Sequence, residues 1–278
     1  MHTETGCEKD LRRVRQFDGV PDLACFTEQL HYNLEPVVLR NSCFDWQPVR
    51  EWSPERLEGK LADQMLRISS SASGYFPDTG STCREKLSGR AFFERLKDEA
   101  AGRSPRYSYL DGSETFFNLG GESSSALVAL EPEARPPRAV LSPFLVKSAL
   151  WIGGGGVHSG LHYDGNGCNN FNVQVCGRKS IILLSPKYID RLSMLSPDKF
   201  AHLGHFSGLS LDRDDMAGHP AFSELTLYHA VLDPGDVLFI PALWFHAVTS
   251  LEAFNANVNF WTLPDSTYLT PLLKDLVT

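Results

Sequence analysis

The chain has 278 residues, 42% of them hydrophobic and 22% charged, which suits a globular fold able to bury a sizeable core. Its formal net charge of -8 disfavours a general nucleic-acid binder, because such proteins hold phosphates through clustered Lys and Arg. The N-terminus carries no apolar signal region, and no apolar run is long enough to span a bilayer, so no membrane partner is expected. The six cysteines are scattered, without a Cys-x-x-Cys pair, which argues against a zinc site and a disulfide framework and for reduced thiols in a cytoplasmic or nuclear protein.

In chain order, Cys25 to Leu30 reads as a short amphipathic helix. Glu35 to Arg40 reads as a strand with Pro36 at its start, where a missing N–H is tolerated. Ser53 and Pro54 form a helix start, with Ser as the N-cap and Pro in the first position. Ala91 to Glu99 is a second helix with Phe92, Phe93 and Leu96 on one stripe. Glu131 to Arg138 is a proline-rich surface loop. From about Tyr107 onward, short β-type runs alternate with turns. Asn170–Val175 and Lys179–Leu184 flank Gly177 and read as a tight hairpin. Asp236–Ile240 follows the turn Asp233-Pro234-Gly235, and Ala247–Thr249 and Asn255–Trp261 complete the set. A long polar insert with weak helical signal lies between Pro186 and His229. The expectation is a mainly β (α+β) jelly roll with helices packed outside it. Residues 1–104 form a helix and strand extension, 105–265 the core with an insert at about 186–230, and 266–278 a C-terminal tail.

Two strands carry an unusual pattern. One face of Asn170–Val175 presents Asn170, Asn172 and Gln174, and one face of Asn255–Trp261 presents Asn255, Asn257, Asn259 and Trp261. Asn is disfavoured in strands. Either face alone reads as a solvent-facing side; the other reading is the polar interior of a barrel that holds a charged ligand.

His162-Tyr163-Asp164 aims an imidazole and a carboxylate the same way along a strand. His246 then follows the apolar strand, proline and aromatics of Gly235–Phe245, at a strand end near a barrel mouth. Two histidines and a carboxylate make a facial triad for Fe(II) with positions left open for substrate and oxygen. Lys179 falls in step with Ile181 and Leu183 on an apolar face, and a lysine turned inward needs an anionic partner. His202, His205, His219 and His229 show no ligand spacing and read as loop and surface residues. Gly153–Gly156 lacks the Gly-Lys-Ser/Thr of a phosphate loop and reads as a flexible edge or a lid near the entrance.

His158–Pro186, Gly235–His246 and Asn257–Trp261 together resemble the JmjC or cupin-like family of Fe(II)- and 2-oxoglutarate-dependent oxygenases, and Pro36–Arg40 through Trp52–Glu55 resembles that family's N-terminal region. Gly235–His246 is especially similar to the tRNA wybutosine-synthesising hydroxylase branch, and the asparaginyl hydroxylase branch is also similar. The loop from Asp164 to Asn170 is about two residues longer than in the asparaginyl branch. The resemblance implies a double-stranded β-helix and places the iron on His162, Asp164 and His246. It places the distal carboxylate of 2-oxoglutarate on Lys179 and Tyr109, with Tyr107 as the competing tyrosine. Ser159 matches a hydroxyl position, and Asn170 and Asn259 match amide positions near the cosubstrate and iron. Trp261, Tyr107 and Asn172 fall on the substrate side.

The activity so implied is hydroxylation of a C–H bond with Fe(II), 2-oxoglutarate and O2. The substrate expected is macromolecular, a protein side chain ahead of a tRNA base because of the net charge. A small-molecule or peptide hydroxylase and a catalytically inactive cupin binding module are the other readings. The sequence assigns no oligomeric state.

Overall fold

The computed structural model describes residues 11–26, 35–77, 80–141, 144–165, 167–196, 205–209 and 225–264. The elements are β1 (Arg12–Arg13), β2 (Arg15–Asp18), α1 (Leu23–Cys25), β3 (Val37–Arg40), α2 (Gln47–Glu51), α3 (Pro54–Leu61), β4 (Met65–Ser71), β5 (Tyr75–Phe76), β6 (Cys83–Ser88), α4 (Gly89–Ala100) and β7 (Tyr107–Asn118). They continue as β8 (Leu145–Gly153), β9 (His158–His162), β10 (Asn169–Cys176), β11 (Lys179–Leu184), β12 (Tyr228–Leu232), β13 (Val237–Ile240), β14 (Phe245–Ser250) and β15 (Asn255–Thr262).

The strands form two sheets. One is nine-stranded, in the order β2-β3-β13-β10-β15-β8-β7-β4-β6; the other is six-stranded, β1-β12-β11-β14-β9-β5. The jelly-roll core is β8, β15, β10 and β13 against β9, β14, β11 and β12, so the chain passes repeatedly from one sheet to the other. The mainly β fold is as expected. The N-terminal segment does more than pack outside it, because β1, β3, β4 and β5 hydrogen-bond to β12, β13, β7 and β9 and lengthen both sheets.

Local signals explain the helices. Ser53 accepts from Arg56 N at 3.2 Å to cap α3, and Ser88 accepts from Ala91 N at 3.2 Å to cap α4. α4 buries Phe92, Phe93 and Leu96, and Gly89 opens it where a Cβ would stand 2.0 Å from Leu61 O. The helix expected over Cys25–Leu30 starts earlier, at Leu23, with Asp22 accepting from Cys25 N at 2.7 Å; residues 27–34 lie outside the described residues. Among the described residues no helix is long and apolar enough to cross a membrane, and Cys25, Cys43, Cys83, Cys168 and Cys176 are free thiols.

Three apolar layers hold the sandwich. The outer face of the nine-stranded sheet (Phe171, Val173, Val258, Phe260) packs under Phe26, Trp46, Trp52 and Phe93. The rings of Phe26 and Phe171 each lie within about 5 Å of Phe239, a geometry worth roughly 0.5–1.5 kcal/mol per pair beyond burial. Between the sheets, Val38, Leu238 and Ile240 meet Ile181, Leu183 and Val248. The insert covers the outer face of the six-stranded sheet through Leu192, Leu209, Leu225 and Leu227.

The hairpin expected at Gly177 does not form. β10 pairs with β13 and β15, whereas β11 pairs with β12 and β14, so the turn carries the chain across the sandwich. Gly177 takes φ +69°, and a Cβ there would lie 2.2 Å from Phe254 O. Gln174 Nε2 steadies the turn by donating to the carbonyls of Cys176 and Gly177 at 2.9 and 2.8 Å. Gly153 ends β8 and Gly154–Gly156 turn into the start of β9, the opposite end of that strand from His162, so the run is not a lid over the metal site. At Gly153 a Cβ would meet the Tyr109 ring at 2.9 Å, which accounts for a residue without a side chain.

Asp236 ties the β3 end to the turn before β13. It is 2% exposed and accepts from the Arg40 guanidinium, from Asn41 N at 2.9 Å and from Asp233 N at 3.0 Å. Removing one partner strands a buried charge, so Asp236→Ala is expected to cost roughly 3 kcal/mol of unfolding free energy. Urea unfolding measures it as a lower midpoint at unchanged slope; an unmoved midpoint would show the ion pair dispensable. At Gly177, both the positive φ and the clash with Phe254 O predict that Gly177→Ala loses at least ~2 kcal/mol in the same assay, against a gain of under ~1 kcal/mol at a permissive glycine.

Candidate metal centre

The β9–β14 register sets His162 directly opposite His246, and Asp164 follows two residues past His162. Ligand atoms of these three side chains lie within 4.8 Å of one another, and the imidazole centroids are 4.3 Å apart. β9 advances from Ser159 to His162 while β14 moves only from Val248 to His246, so a bulge at Gly160–Leu161 re-aims His162. Gly160 is required there because a Cβ would lie 2.3 Å from the Tyr75 hydroxyl.

The side chains around the triad orient it. His162 Nδ1–H donates to Gly160 O at 2.7 Å and His246 Nδ1–H to Trp244 O at 3.2 Å. A carbonyl only accepts, so both rings carry a proton on Nδ1, which makes Nε2 the atom available to a metal. Asn170 Nδ2 donates to Asp164 Oδ2 at 2.9 Å and fixes the carboxylate. Both histidines are buried, and burial first, then the neighbouring His246, holds the His162 pKa well below its usual range and keeps it neutral. Two imidazoles and one carboxylate meeting at a cavity fit Fe(II) by donor type and by orientation.

Behind the triad lies an inner chamber lined by Tyr109, Ser159, Asn172, Lys179, Asn257 and Asn259. Lys179 is 3% exposed and has no carboxylate within reach among the described residues; its Nζ donates to Asn257 Oδ1. Burial pushes its pKa down to about 7. Asn257 Nδ2 in turn donates to Asn259 Oδ1, which leaves Asn259 Nδ2 as a donor for the chamber. Burial raises the Tyr109 pKa and keeps its phenol protonated. A buried ammonium, a phenol and a serine hydroxyl around one small chamber fit a carboxylate, as 2-oxoglutarate would supply.

In front of the triad opens an outer chamber of about 340 Å³, walled by Phe76, Tyr109, Trp151, Trp261 and Phe206, with Arg84, Asp111, Lys147 and His205 among its polar groups. Phe206 stacks on His162 at 4.6 Å, so the insert reaches the metal site.

Asn170 and Asn172, with Asn257 and Asn259, are buried inside the sandwich, as the barrel-interior reading of the amide faces requires. Asn170 acts on Asp164 and does not line either chamber; Asn172 lines the inner one and not the substrate side. Trp261 lines the outer chamber. Tyr107 lines neither: its ring packs against Gly74 and Gly156, at the end of β9 away from His162. His205 is corrected from a surface residue, since it lines the outer chamber with its ring 6.3 Å from His162; burial lowers its pKa. His229 sits in β12 with its Nε2 2.9 Å from Ser180 Oγ, while His202 and His219 lie outside the described residues. Sequence reasoning placed Asn257 on an amide-lined face without giving it a partner, and it missed Lys147 and Trp151. Alternation along β8 places Lys147, Ala149 and Trp151 on one face, and that was the available signal.

The family model described as the cupin-like domain matches residues 23–266. The chain is 38% identical over 187 residues to tRNA wybutosine-synthesizing protein 5 of Homo sapiens, covering 63% of this chain and 56% of that protein. It is 27% identical over 242 residues to HSPB1-associated protein 1 of Rattus norvegicus (82% and 48%) and 26% over 249 residues to Jumonji C domain-containing protein 5 of Drosophila melanogaster (89% and 59%). The chain spans about half the length of the curated relatives it matches. A match over most of the chain, together with two facing sheets and a His-Asp-His group at their mouth, means that the chain belongs to the JmjC/cupin family of cupin-like proteins.

Proposed function

We propose that this protein is an Fe(II)- and 2-oxoglutarate-dependent oxygenase that hydroxylates a C–H bond of a macromolecular substrate, a protein side chain first. The observation that carries this reading is the buried Lys179 ammonium without an anion, placed behind a triad whose two histidines are held as Nε2 donors. Iron at the triad supplies the oxidising chemistry, in which O2 and 2-oxoglutarate yield succinate, carbon dioxide and a hydroxylated substrate.

The chain's own residues do the rest. His162, Asp164 and His246 hold the metal. The backbone carbonyls of Gly160 and Trp244 and the amide of Asn170 keep those ligands oriented. Lys179, Tyr109 and Ser159 bind the distal carboxylate of the cosubstrate, and Asn259 Nδ2 donates nearby. Phe206, Trp261 and Trp151 exclude water from the reacting side.

A second reading, hydroxylation of a tRNA base, draws on the relative named tRNA wybutosine-synthesizing protein 5. The net charge of -8 favours a protein substrate over RNA. Mass spectrometry for added oxygen on candidate peptides and on tRNA, under labelled oxygen gas, decides between them.

Anaerobic titration of the chain with Fe(II) and 2-oxoglutarate is expected to produce a visible metal-to-ligand charge-transfer band that His162→Ala abolishes. No band in the unaltered chain would leave a cupin binding module as the better reading. Lys179 binds an anion only when protonated, and its pKa in the free site is about 7. Anion binding raises that pKa, so 2-oxoglutarate affinity is expected to hold below pH ~7 and to fall above it by up to about tenfold per pH unit. Lys179→Met is expected to remove this pH dependence and weaken binding roughly 100-fold, about 3 kcal/mol, as read by calorimetry across pH. The same slope in the variant would exclude Lys179 as the group responsible.

A further inference from the structure

The inner face of the nine-stranded sheet runs beyond the metal site onto β4 and β6. Leu66, Ile68 and Leu87 turn to the other side, into the apolar layer with α3 and α4. Alternation then puts Met65, Arg67 and Ser69 of β4 on the chamber side, with Lys86 of β6 opposite Arg67 and Arg84 opposite Ser69. Ser69 and Arg84 line the outer chamber, so this face continues the chamber wall. It is open to solvent: Met65 is 56% exposed, and Arg84 and Lys86 are exposed as well.

Like charges set directly opposite across a strand pair destabilise it, yet Arg67 faces Lys86. Arg67 is engaged by Glu114, with Nε 3.1 Å from Oε1. Glu85 turns to the other face and pairs with Arg95 at 2.6 Å, which leaves Arg84 and Lys86 without a hydrogen bond or ion pair among the described residues. Asp111, in the chamber wall, already accepts from Ser69 Oγ at 2.6 Å. A chain of net charge -8 thus keeps two unneutralised cations on one strand face beside its chamber.

β6 is also the outermost strand of its sheet and, among the described residues, pairs with β4 alone. Its other edge presents backbone N–H and C=O groups to which an extended peptide can add as a further strand. Side chains of an added strand directly opposite Arg84 and Lys86 share their face, so the matching ligand carries negative charge at alternate positions. RNA also carries negative charge, but single-stranded RNA sites add aromatic side chains on which bases stack. Met65, Arg67, Ser69, Arg84 and Lys86 include none.

We propose that the open edge of β6 docks an extended acidic stretch of polypeptide, with carboxylates at alternate positions meeting Arg84 and Lys86 beside the outer chamber. Its part in catalysis rests on the oxygenase reading with a protein substrate, but docking needs no metal, so the two fail separately.

The test measures fluorescence anisotropy of rhodamine-labelled probes on the metal-free full chain. The probes are an alternating Glu-Thr octapeptide, its Gln-Thr counterpart and an octauridylate. The Glu-Thr peptide is expected to bind saturably, at least about tenfold tighter than the Gln-Thr peptide, and to slow hydrogen exchange of backbone amides within Cys83–Ser88. Arg84→Glu and Lys86→Glu together should weaken it at least about tenfold, while Arg84→Lys and Lys86→Arg together retain it. Arg12→Glu and Arg13→Glu together make the same change in net charge on exposed β1, at the end of the six-stranded sheet opposite β5, and should leave the affinity in place. No saturable binding, equal binding of the Gln-Thr peptide or unchanged exchange over Cys83–Ser88 would overturn the proposal. So would an unchanged affinity in the Arg84 and Lys86 charge reversal, or an equal loss in the Arg12 and Arg13 variant. Tighter binding of octauridylate than of the Glu-Thr peptide would also overturn it and assign the face to RNA.

Discussion

The pairing of β9 with β14 places His162 against His246, and the whole site depends on that register. Side chains alternate along a strand, so a slip of one residue would turn one histidine out of the sandwich and leave a single imidazole beside Asp164. The bulge at Gly160–Leu161 refines the aim, and the Gly160 carbonyl it presents accepts the His162 Nδ1 proton. One backbone irregularity thus sets both the direction and the tautomer of a ligand. The rest of the six-stranded sheet holds that register, with β11 pairing β14 over its full length and Leu161, Phe245 and Ala247 anchored beneath the insert.

The space between the sheets is divided. One part is apolar, with Val38, Leu238 and Ile240 against Ile181, Leu183 and Val248. The other is polar: Asn170, Asn172, Asn257, Asn259 and Lys179 are buried there, with Asn170 joined to Asp164, Lys179 to Asn257 and Asn257 to Asn259. Burying that many amides costs stability unless each finds a partner. The large aromatic layer on the outer face of the nine-stranded sheet offsets that cost, which accounts for an N-terminal segment rich in Trp and Phe lying so far from the metal site. Stability and chemistry therefore occupy opposite faces of the same strands.

Much of this was legible in the residue order. The inward lysine and the two amide-lined faces follow from strand periodicity, because alternate residues share a face whatever the strand's neighbours are. The helix start at Ser53 rests on local capping. The Gly177 turn was misread for the complementary reason: a short glycine turn between two strands looks the same whether they pair with each other or with strands far along the chain. His205 was misread because its place beside His162 depends on the insert folding back across the six-stranded sheet, and nothing near residue 205 encodes that return.

Sequence by itself determined the chemistry available to this protein: which residues could serve as metal ligands, which lysine turns inward, and that the strands carry polar faces. These depend on residue type and on a period of two, both local properties. Tertiary structure decided which of those residues meet. It selected Tyr109 over Tyr107, gave Asn170 to the Asp164 carboxylate, added Asn257 as the partner of Lys179, and gathered Lys147, Trp151 and Trp261 around a second chamber. Those choices depend on long-range strand pairing and on which sheet each strand joins, and register between distant segments is set by the packing of the whole sandwich.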